Sequence, residues 1–421
     1  MKYFIFLLIL PILIFCWTEP INLSQNPLAD INPQGCRIWA LNSFYTCLVW
    51  QRGQEGLYNI FARFSTRVGE WEREIAITND SIGSNENPVV AYDARRNKVW
   101  VAWQKNINNN WEIFVTRGDP INGFELPHRL TFSPASDINP SIVVVSDTVW
   151  VVWERQNQQI LAKFYDGENW SDSLIIDFGN DPFVSEPKIF VRYQHPIVIF
   201  RKWSRCFSHI YYSEYLNGQW TLPAVVCDVG HNYNVEINGW KFLPPWGGVI
   251  IVWYNLETND IFKTGFDTFN IWYPITNDSA IIDNYPTILF FDVPVFNQIP
   301  PYLIAWQREN GIYSQSWWGG VFPIDTTFLC EKPCLTVMGI TCVWCLYQKN
   351  INGNYEIFGS YIYYSGIQEQ SVKKGLPLKK KLIAFRNPQV NLFYEYKIYN
   401  PLGRKISKNQ FKAGIYFLIK R

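Results

Sequence analysis

Short runs of β-forming residues that end in an aromatic side chain recur along most of the chain, separated by polar turns. The clearest run, VWVAWQKNINNNWEIF at residues 99–114, returns almost unchanged as VWCLYQKNINGNYEIF at residues 343–358. In both copies an apolar run leads into a polar turn, and a second β-rich run follows the turn. This alternation predicts β-hairpins.

The aromatic residue that ends each apolar run allows the repeats to be counted. Consecutive anchoring residues are 41 to 53 positions apart, and they are Trp50, Trp103, Trp153, Phe200, Trp253, Trp306 and Tyr347. A period of roughly 40–50 residues is typical of propellers and solenoids, and each copy is long enough for one four-stranded blade. The sequence therefore predicts an all-β chain whose residues 19–365 form a seven-bladed β-propeller.

Each repeat divides into four predicted strands, which we name a to d in chain order, with the anchor on strand b. Proline suits the first position of a strand because no ladder N–H is needed there. Strand a is therefore expected to begin at Pro33, Pro88, Pro140, Pro187, Pro286 and Pro333. The seventh repeat lacks a clear strand d, whereas residues 20–33 read like a strand d and its connector. The N-terminal segment is expected to complete the last blade and cover its edge.

Residues 1–18 are interpreted as a secretory signal peptide. One lysine precedes the apolar run FIFLLILPILIFC, which is too short to span a bilayer. A lipid-anchored start at Cys16 is the alternative, although Phe15 is bulky where such a signal needs a small residue. The net charge of +1 leaves no broad field to attract nucleic acid or an acidic membrane surface.

Eight of the nine cysteines follow the signal peptide, and an even count in an exported chain favours disulfides. The positions assigned to disulfides are Cys36, Cys47, Cys206, Cys227, Cys334 and Cys342. The first two and the last two flank predicted hairpin turns, so each pair is expected to face across its turn. A zinc site from Cys330-x3-Cys334 and Cys342-x2-Cys345 is the alternative. Cys342 and Cys345 should point to opposite faces of a strand, so we expect no metal.

Two residues after each anchor the chain places a basic residue in six of seven repeats. These positions are Arg52, Lys105, Arg155, Lys202, Asn255, Arg308 and Lys349. The ring that they form could bind an anionic ligand such as an acidic glycan. Alternatively, each could pair with an acid that precedes strand a, namely Asp30, Glu86, Asp137, Glu186, Asp283 or Glu331. We favour pairing, because both features repeat with the blades, whereas function usually breaks symmetry.

Residues that break the repeat are the better candidates for ligand contact. The fourth repeat has a phenylalanine anchor and extra basic residues, the fifth has an insertion between strands a and b, and the sixth has two adjacent tryptophans. Exposed aromatic rings stack on sugars, so the candidate contacts are Trp203, Arg205, Trp240, Trp246, Trp317 and Trp318. The alternative for each tryptophan is packing within or between blades.

Signals for catalysis are few. The four histidines, His128, His195, His209 and His231, lack metal-ligand spacing. The sequence contains no glycine-rich phosphate loop, no nucleophile elbow and no zinc-protease motif. We therefore expect no cofactor, and no catalytic residue is assigned.

The C-terminal residues differ from the repeats. Residues 366–385, rich in lysine, are interpreted as a linker, and residues 386–421 as a small β domain. This tail resembles the type A sorting domain of the type IX secretion system. The resemblance rests on Asn387-Pro388, Lys397-Ile398-Tyr399, Leu402-Gly403-Arg404 and the run from Gly414 through Tyr416 to Leu418. It implies the secretion machinery as a partner, with release or attachment at the cell surface.

The repeats themselves resemble two propeller families. Arg129-Leu130-Thr131 followed by Asp137-Ile138-Asn139-Pro140 is similar to a TolB-type connector, and residues 211–220 are similar to a sialidase-like hairpin. The sialidase Asp-box is only approximated by residues 166–170. A sialidase-like mechanism would need three clustered arginines, a Tyr–Glu pair and an acid. We therefore expect a secreted or surface-displayed monomer that binds glycan or protein without catalysis. A sialidase-like glycoside hydrolase and a purely structural display module are the alternatives.

Overall fold

The computed structural model describes residues 17–40, 43–156, 158–177, 183–204, 207–240, 248–265, 267–290, 302–317, 319–338 and 342–363. It also describes the backbone of three strands at residues 380–385, 396–399 and 414–420. The chain divides into two compact units, Met1–Gly366 and Ile367–Arg421. In the described residues no helix is long and apolar enough to cross a membrane.

The first unit is a seven-bladed β-propeller, as the repeat predicted. Blades one to three contain β2 (Ala29–Ala40), β3 (Ser43–Gln54), β4 (Leu57–Arg67), β5 (Glu70–Trp71), β6 (Ile75–Ala76); β7 (Asn85–Asp93), β8 (Lys98–Ile107), β9 (Asn110–Asp119), β10 (Gly123–Phe124), β11 (His128–Arg129); and β12 (Asp137–Val145), β13 (Thr148–Arg155), β14 (Gln159–Tyr165), β15 (Leu174–Asp177).

Blades four to seven have the same antiparallel order. They contain β16 (Val184–Arg192), β17 (His195–Ser204), β18 (Phe207–Leu216), β19 (Gln219–Trp220), β20 (Ala224–Cys227); β21 (Asn232–Trp240), β22 (Gly248–Asn255), β23 (Asp260–Gly265), β24 (Thr268–Pro274); β25 (Asp283–Phe290), β26 (Tyr302–Arg308), β27 (Gly311–Ser316), β28 (Gly319–Asp325); and β29 (Cys330–Met338), β30 (Cys342–Ile351), β31 (Asn354–Tyr363) with β1 (Ile21–Asn22).

The N-terminal segment closes the ring, as the sequence predicted. Ile21 and Asn22 of β1 pair with Gly359 and Phe358 of β31, so β1 is the outermost strand of blade seven. Leu23 follows β1 and is buried against the core that blade seven shares with blade one. An otherwise open strand edge is therefore paired with the opposite end of the propeller chain.

The anchoring aromatics fill the space between blades. All seven are at most 1% exposed, and most stack on an aromatic residue of strand c. Trp50 and Phe61, for example, have ring centroids 6.0 Å apart at an angle of 25°. Seven apolar clusters line the blade interfaces, and the cluster around Trp103 joins residues of blades one and two. The repeat of one anchor per blade thus reflects one buried ring per interface.

Strand a contains a β-bulge in every blade, and this corrects the expectation that proline begins the strand. The ladder of strands a and b skips two residues at each bulge. The first skipped residue has a left-handed backbone, with φ between 48° and 54°. In six blades the proline follows it inside the strand, and in blade five Val235 takes this position. The left-handed residues are Asn32, Asn87, Asn139, Glu186, Asn234, Tyr285 and Lys332.

The cysteines agree only in part with the predicted disulfides. Cys36 and Cys47 are direct register partners on β2 and β3, as expected. Cys334 and Cys342 do not face each other, because Cys334 is opposite Leu346 and Cys342 is opposite Met338. No disulfide joins any of the cysteines in the described part of the chain, and Cys206 lies outside it.

Cys342 and Cys345 point to opposite faces of β30, as predicted, since they belong to different apolar clusters. No group of three potential metal ligands occurs among the described residues.

The second unit contains a three-stranded antiparallel sheet in its described part. Its strands are β32 (Lys380–Phe385), β33 (Tyr396–Tyr399) and β34 (Gly414–Lys420), and β34 lies in the centre. Gly414 and Tyr416 of the predicted sorting motif lie on β34, opposite Phe385 and Ile383 of β32. Leu402, Gly403 and Arg404 lie outside the described residues, as does the predicted signal sequence up to Cys16.

Candidate functional site

The six basic residues that follow the anchors are all paired with aspartate. The nitrogen–oxygen distances are 2.6 to 3.1 Å in the pairs Arg52–Asp30, Lys105–Asp80, Arg155–Asp137, Lys202–Asp177, Arg308–Asp283 and Lys349–Asp325. Each arginine pairs within its own blade and each lysine pairs with an aspartate contributed by the preceding blade, so the six charges are balanced and do not form an open cationic ring.

Arginine and lysine use different aspartates, which the sequence analysis recognised only for arginine. The three arginines contact the aspartate at the start of strand a through two parallel hydrogen bonds, as Arg308 does with Asp283 at 2.7 Å each. Such a bidentate contact needs the planar guanidinium. The lysines instead reach an aspartate near the end of the preceding strand d. The glutamates expected as their partners, Glu86, Glu186 and Glu331, are not used in this way.

The predicted aromatic contacts are scattered, and only part of them can be placed. Trp203 is half-buried, and its ring lies 5.6 Å from that of His231. Trp317 packs against the cluster between blades five and six. Arg205, Trp246 and Trp318 lie outside the described residues. Trp240 ends strand β21, but its side chain is not described.

A central cavity of about 320 Å³ is the site that sequence reasoning missed. All seven blades contribute to it through the left-handed residues of strand a and the residues that follow them. The repeated Asn-Pro pattern marked these positions in the sequence. Only the tertiary structure shows that these residues of all seven blades line one cavity.

In four blades the residue that follows the anchor forms a hydrogen bond to the next blade around this cavity. The side-chain oxygen of Gln51 accepts the backbone N–H of Asn87 at 2.8 Å. Gln104 does the same for Asn139 at 2.9 Å. The corresponding bonds in the rest of the ring include Gln348 to Asn32 at 3.0 Å and Glu154 to Glu186 at 2.7 Å. We call the glutamine or glutamate at this position the clip, because its hydrogen bond joins two neighbouring blades.

Blade four replaces this clip with a charged one. Arg201 stands where blades one, two and seven have the accepting glutamine and blade three has Glu154, and a guanidinium cannot accept a hydrogen bond. Glu186 forms an ion pair with Arg201 at 2.9 Å and itself accepts the N–H of Asn234 at 2.9 Å. The two substitutions compensate each other, because Glu186 supplies the acceptor that Arg201 removes.

The cavity wall is amide-rich on one side and charged on the other. On the amide side, the side chain of Asn32 donates to that of Asn87 at 3.2 Å, and Asn87 donates to Asn139 at 3.3 Å. On the charged side, Lys188 and Glu236 form an ion pair at 2.5 Å. The charged side comes mainly from blades four to seven, so the site breaks the sevenfold repeat of the fold.

Lys332 is the cation that the cavity wall leaves without a carboxylate in the described part of the chain. Its ammonium donates to the amide oxygen of Asn32 at 2.5 Å. Burial lowers the pKa of Lys332, and the nearby Glu331 opposes this only in part. Burial also raises the pKa of the neighbouring Tyr285, with help from the charges of Glu331 and Glu186. The cavity wall thus includes both the ammonium of Lys332 and the neutral phenol of Tyr285.

Comparison with known proteins supports the fold alone. No family model and no curated protein matches the sequence. A protein of unknown function from Dyadobacter fermentans is similar in structure, with a TM-score of 0.54 and 12% identity over 83% of this chain and 98% of that chain.

Sialidases also occur among the similar structures. The sialidase of Trypanosoma rangeli in complex with sialic acid has a TM-score of 0.49 and 10% identity, over 83% of this chain and 59% of its own. The leech intramolecular trans-sialidase has a TM-score of 0.48 and 11% identity, over 81% of this chain and 69% of its own. At these identities the similarity is one of propeller architecture.

Proposed function

We infer that the propeller is a binding module whose central cavity holds a terminal acidic sugar of a glycan. The observation that carries this inference is the Lys332 ammonium, which lies inside the cavity against an amide. A ligand carboxylate could form a charge-assisted hydrogen bond with it. The asparagine amides opposite can both donate to and accept from sugar hydroxyls. A volume of about 320 Å³ is at the small end of ligand sites and suits one sugar residue.

Backbone strain supports a functional role for this side of the cavity. Asparagine tolerates the left-handed conformation better than most residues, and four blades use it at the bulge. Glu186, Tyr285 and Lys332 adopt the same conformation with less suitable side chains. Residues held in such conformations cost about 1–3 kcal/mol and concentrate at functional sites. The ligand would therefore contact the blades that depart from asparagine.

A sialidase-like hydrolase is the second candidate, and Tyr285 is the observation in its favour. Its phenol lies in the cavity close enough to Glu186 and Glu331 for their charges to raise its pKa. The resemblance implies three clustered arginines for such an enzyme, whereas the described cavity wall contributes lysines. This difference favours binding over hydrolysis.

Export by type IX secretion remains part of the proposal. It rests on the resemblance of residues 386–421 to a sorting domain and on the apolar N-terminal run. The described sheet of the second unit is consistent with a separate small domain. Under this proposal the propeller would present its cavity outside the cell.

Calorimetric titration with N-acetylneuraminic acid and with glucuronic acid tests the binding function, with glucose as the neutral comparison. The substitution Lys332→Asn installs the residue that four other blades use, so the bulge should be retained. We expect it to weaken binding of the acidic sugars at least about tenfold, the effect of losing one charge-assisted hydrogen bond. Arg67→Asn removes the same charge from a residue whose side chain is 78% exposed, and it should leave affinity unchanged.

Equal binding of glucose and the acidic sugars, or unchanged binding by Lys332→Asn, would contradict the proposal. A fluorogenic sialoside distinguishes the two candidates. Turnover that disappears in Tyr285→Phe would establish hydrolysis, whereas binding without turnover would support the module.

A further inference from the structure

Blade five departs from the other six at the position of the paired cation. Asn255 stands where the others carry arginine or lysine, and a cavity of about 170 Å³ lies beside it. Its wall includes the anchor Trp253 and Phe262 of strand c, together with Trp272. None of the residues lining this cavity lines the central one, so it is a separate site.

The other blades show which group this space accommodates. In five of the six the cation lies over the ring of the strand c aromatic residue, with Arg52 4.5 Å from the centroid of Phe61 and Lys349 4.9 Å from that of Phe358. Blade three has Leu161 at this strand c position. Lys105, Lys202 and Arg308 lie 5.5 to 5.9 Å from the corresponding rings. Blade five keeps the aromatic pair in the same arrangement, with Trp253 and Phe262 6.1 Å apart at 19°. Six of the seven blades thus have an aromatic residue at this strand c position, and blade five lacks the long cation that lies over it in the other five.

Both aspartate positions are also neutral in blade five. Asn232 is at the position of Asp283, the arginine partner in blade six, and it accepts a hydrogen bond from Asn255 at 3.0 Å. Cys227 is at the position of Asp325, the lysine partner in blade seven, since each is the register partner of an isoleucine on strand c, Ile210 for Cys227 and Ile312 for Asp325. Burial raises the pKa of the Cys227 thiol, which keeps it uncharged. The cavity therefore combines aromatic rings with neutral polar groups.

Among the residues that line this cavity, Glu257 is the acid, and it is exposed. Its carboxylate accepts the backbone N–H of His231 at 2.7 and 2.8 Å, which fixes it beside the opening. Trp272 contributes a third ring, edge-on to Phe262 with a centroid distance of 5.4 Å. A cation entering from this side would meet a carboxylate at the edge and aromatic rings inside.

We propose that the blade-five cavity binds a quaternary ammonium group, which takes the place that the other blades fill with their own arginine or lysine. Cations are attracted to the faces of aromatic rings, and quaternary ammonium ligands are recognised by such aromatic surroundings. A primary ammonium would lose its hydrogen bonds to water without an internal carboxylate to replace them. A quaternary ammonium has no N–H to satisfy, so the neutral wall does not penalise it.

Titration with choline, followed by tryptophan fluorescence, tests the site in the full-length protein. Its neutral isostere 3,3-dimethylbutan-1-ol has the same shape without the charge. We expect saturable binding of choline with an affinity at least tenfold higher than that of the isostere. Equal affinities would show that the cavity selects apolar shape only and would overturn the proposal, as would failure of choline to bind.

The double substitution Asn232→Asp with Asn255→Arg rebuilds the ion pair of blades one, three and six. It should fill the cavity and abolish choline binding without lowering the melting temperature. Leu256→Arg is the control for the added guanidinium, because it places an arginine at a neighbouring residue that is 48% exposed. Choline binding that survives the double substitution in a folded protein would place the site elsewhere and overturn the assignment.

Discussion

Among the single residues, Glu154 has an unusual ionisation. It is 1% exposed and occupies the clip position that glutamine holds in blades one, two and seven. Burial raises the pKa of its carboxyl to about 7, although hydrogen bonds from the Glu186 backbone and the Asn139 side chain oppose the shift. A carboxylate in this position is thus penalised at neutral pH, whereas a neutral amide is not.

Replacing Glu154 by glutamine should stabilise the propeller in a pH-dependent way. The folded-state pKa is higher than the unfolded value, so the wild-type side chain is most favourable below about pH 4.5 and loses this advantage as the pH rises through 7. The difference can reach about 3 kcal/mol at pH 8. Melting curves should show a higher midpoint for Glu154→Gln at pH 8 and nearly equal midpoints near pH 4.5.

The reverse change in blade one provides the control. Gln51→Glu should introduce a comparable pH-dependent loss, because Gln51 is also buried and accepts the same type of backbone hydrogen bond. A stability difference between Glu154→Gln and wild type that did not change with pH would show that ionisation is not its cause.

The Arg155–Asp137 pair supports a second prediction at this scale. Asp137 is fully buried, and burial raises its pKa in spite of the adjacent guanidinium. Arg155→Met should cost about 3–5 kcal/mol at pH 7, the usual cost of leaving a buried charge without its partner. The double variant Asp137→Asn with Arg155→Met should recover much of this loss. Denaturant titration of Arg155→Met, of Asp137→Asn alone and of the double variant would measure it, and additive losses would contradict the pairing.

Among the elements, strand β1 has the clearest role. It supplies the outer strand of blade seven from the opposite end of the propeller chain, and Leu23 beside it is 1% exposed. Leu23→Ala should lower the free energy of unfolding by about 2–5 kcal/mol, and deletion of residues 17–24 by more. Leu28→Ala, at a residue that is 46% exposed, is the control and should have little effect. An unchanged melting temperature in the deletion would refute closure by β1.

The hairpin of β2 and β3 leads to a prediction about oxidation. Cys36 and Cys47 are register partners, and opposite residues of antiparallel strands are close enough for a disulfide. After air oxidation, peptide mapping without reductant should find these two linked. It should not find a link between Cys334 and Cys342, because their strand partners are Leu346 and Met338. A mapped Cys334–Cys342 peptide would contradict the register.

For the whole molecule, the division into two units predicts that the propeller folds without its C-terminal unit. The contact boundary lies between Gly366 and Ile367, after the last strand of blade seven. Removal of residues 367–421 should leave the melting temperature of the propeller within a few degrees of wild type. The proposed sorting role adds that export to the cell surface should be lost. A truncated protein that still reached the surface would refute the sorting role, and one that failed to fold would refute the division.

The sequence by itself determined the architecture. Regular spacing of the anchors from Trp50 to Tyr347 revealed the seven blades, because every blade interface needs one large buried ring. The likeness of residues 20–33 to a strand d and connector predicted closure for a similar reason, since a ring cannot leave one blade incomplete. These features are local and repeated, so a single chain displays them several times.

Only the tertiary structure decided how the chemistry is distributed. Lys349 pairs with Asp325 rather than with Glu331, because Asp325 is the carboxylate that its ammonium reaches in the folded chain. Lys332 and Asn32 are 300 positions apart and meet only because the ring closes. The blade-five cavity likewise results from a difference between equivalent residues. Blade five has Asn255 where the other blades have arginine or lysine. The sequence predicts the fold because its elements repeat. Ligand sites instead form where residues of several blades meet and where equivalent residues differ between blades.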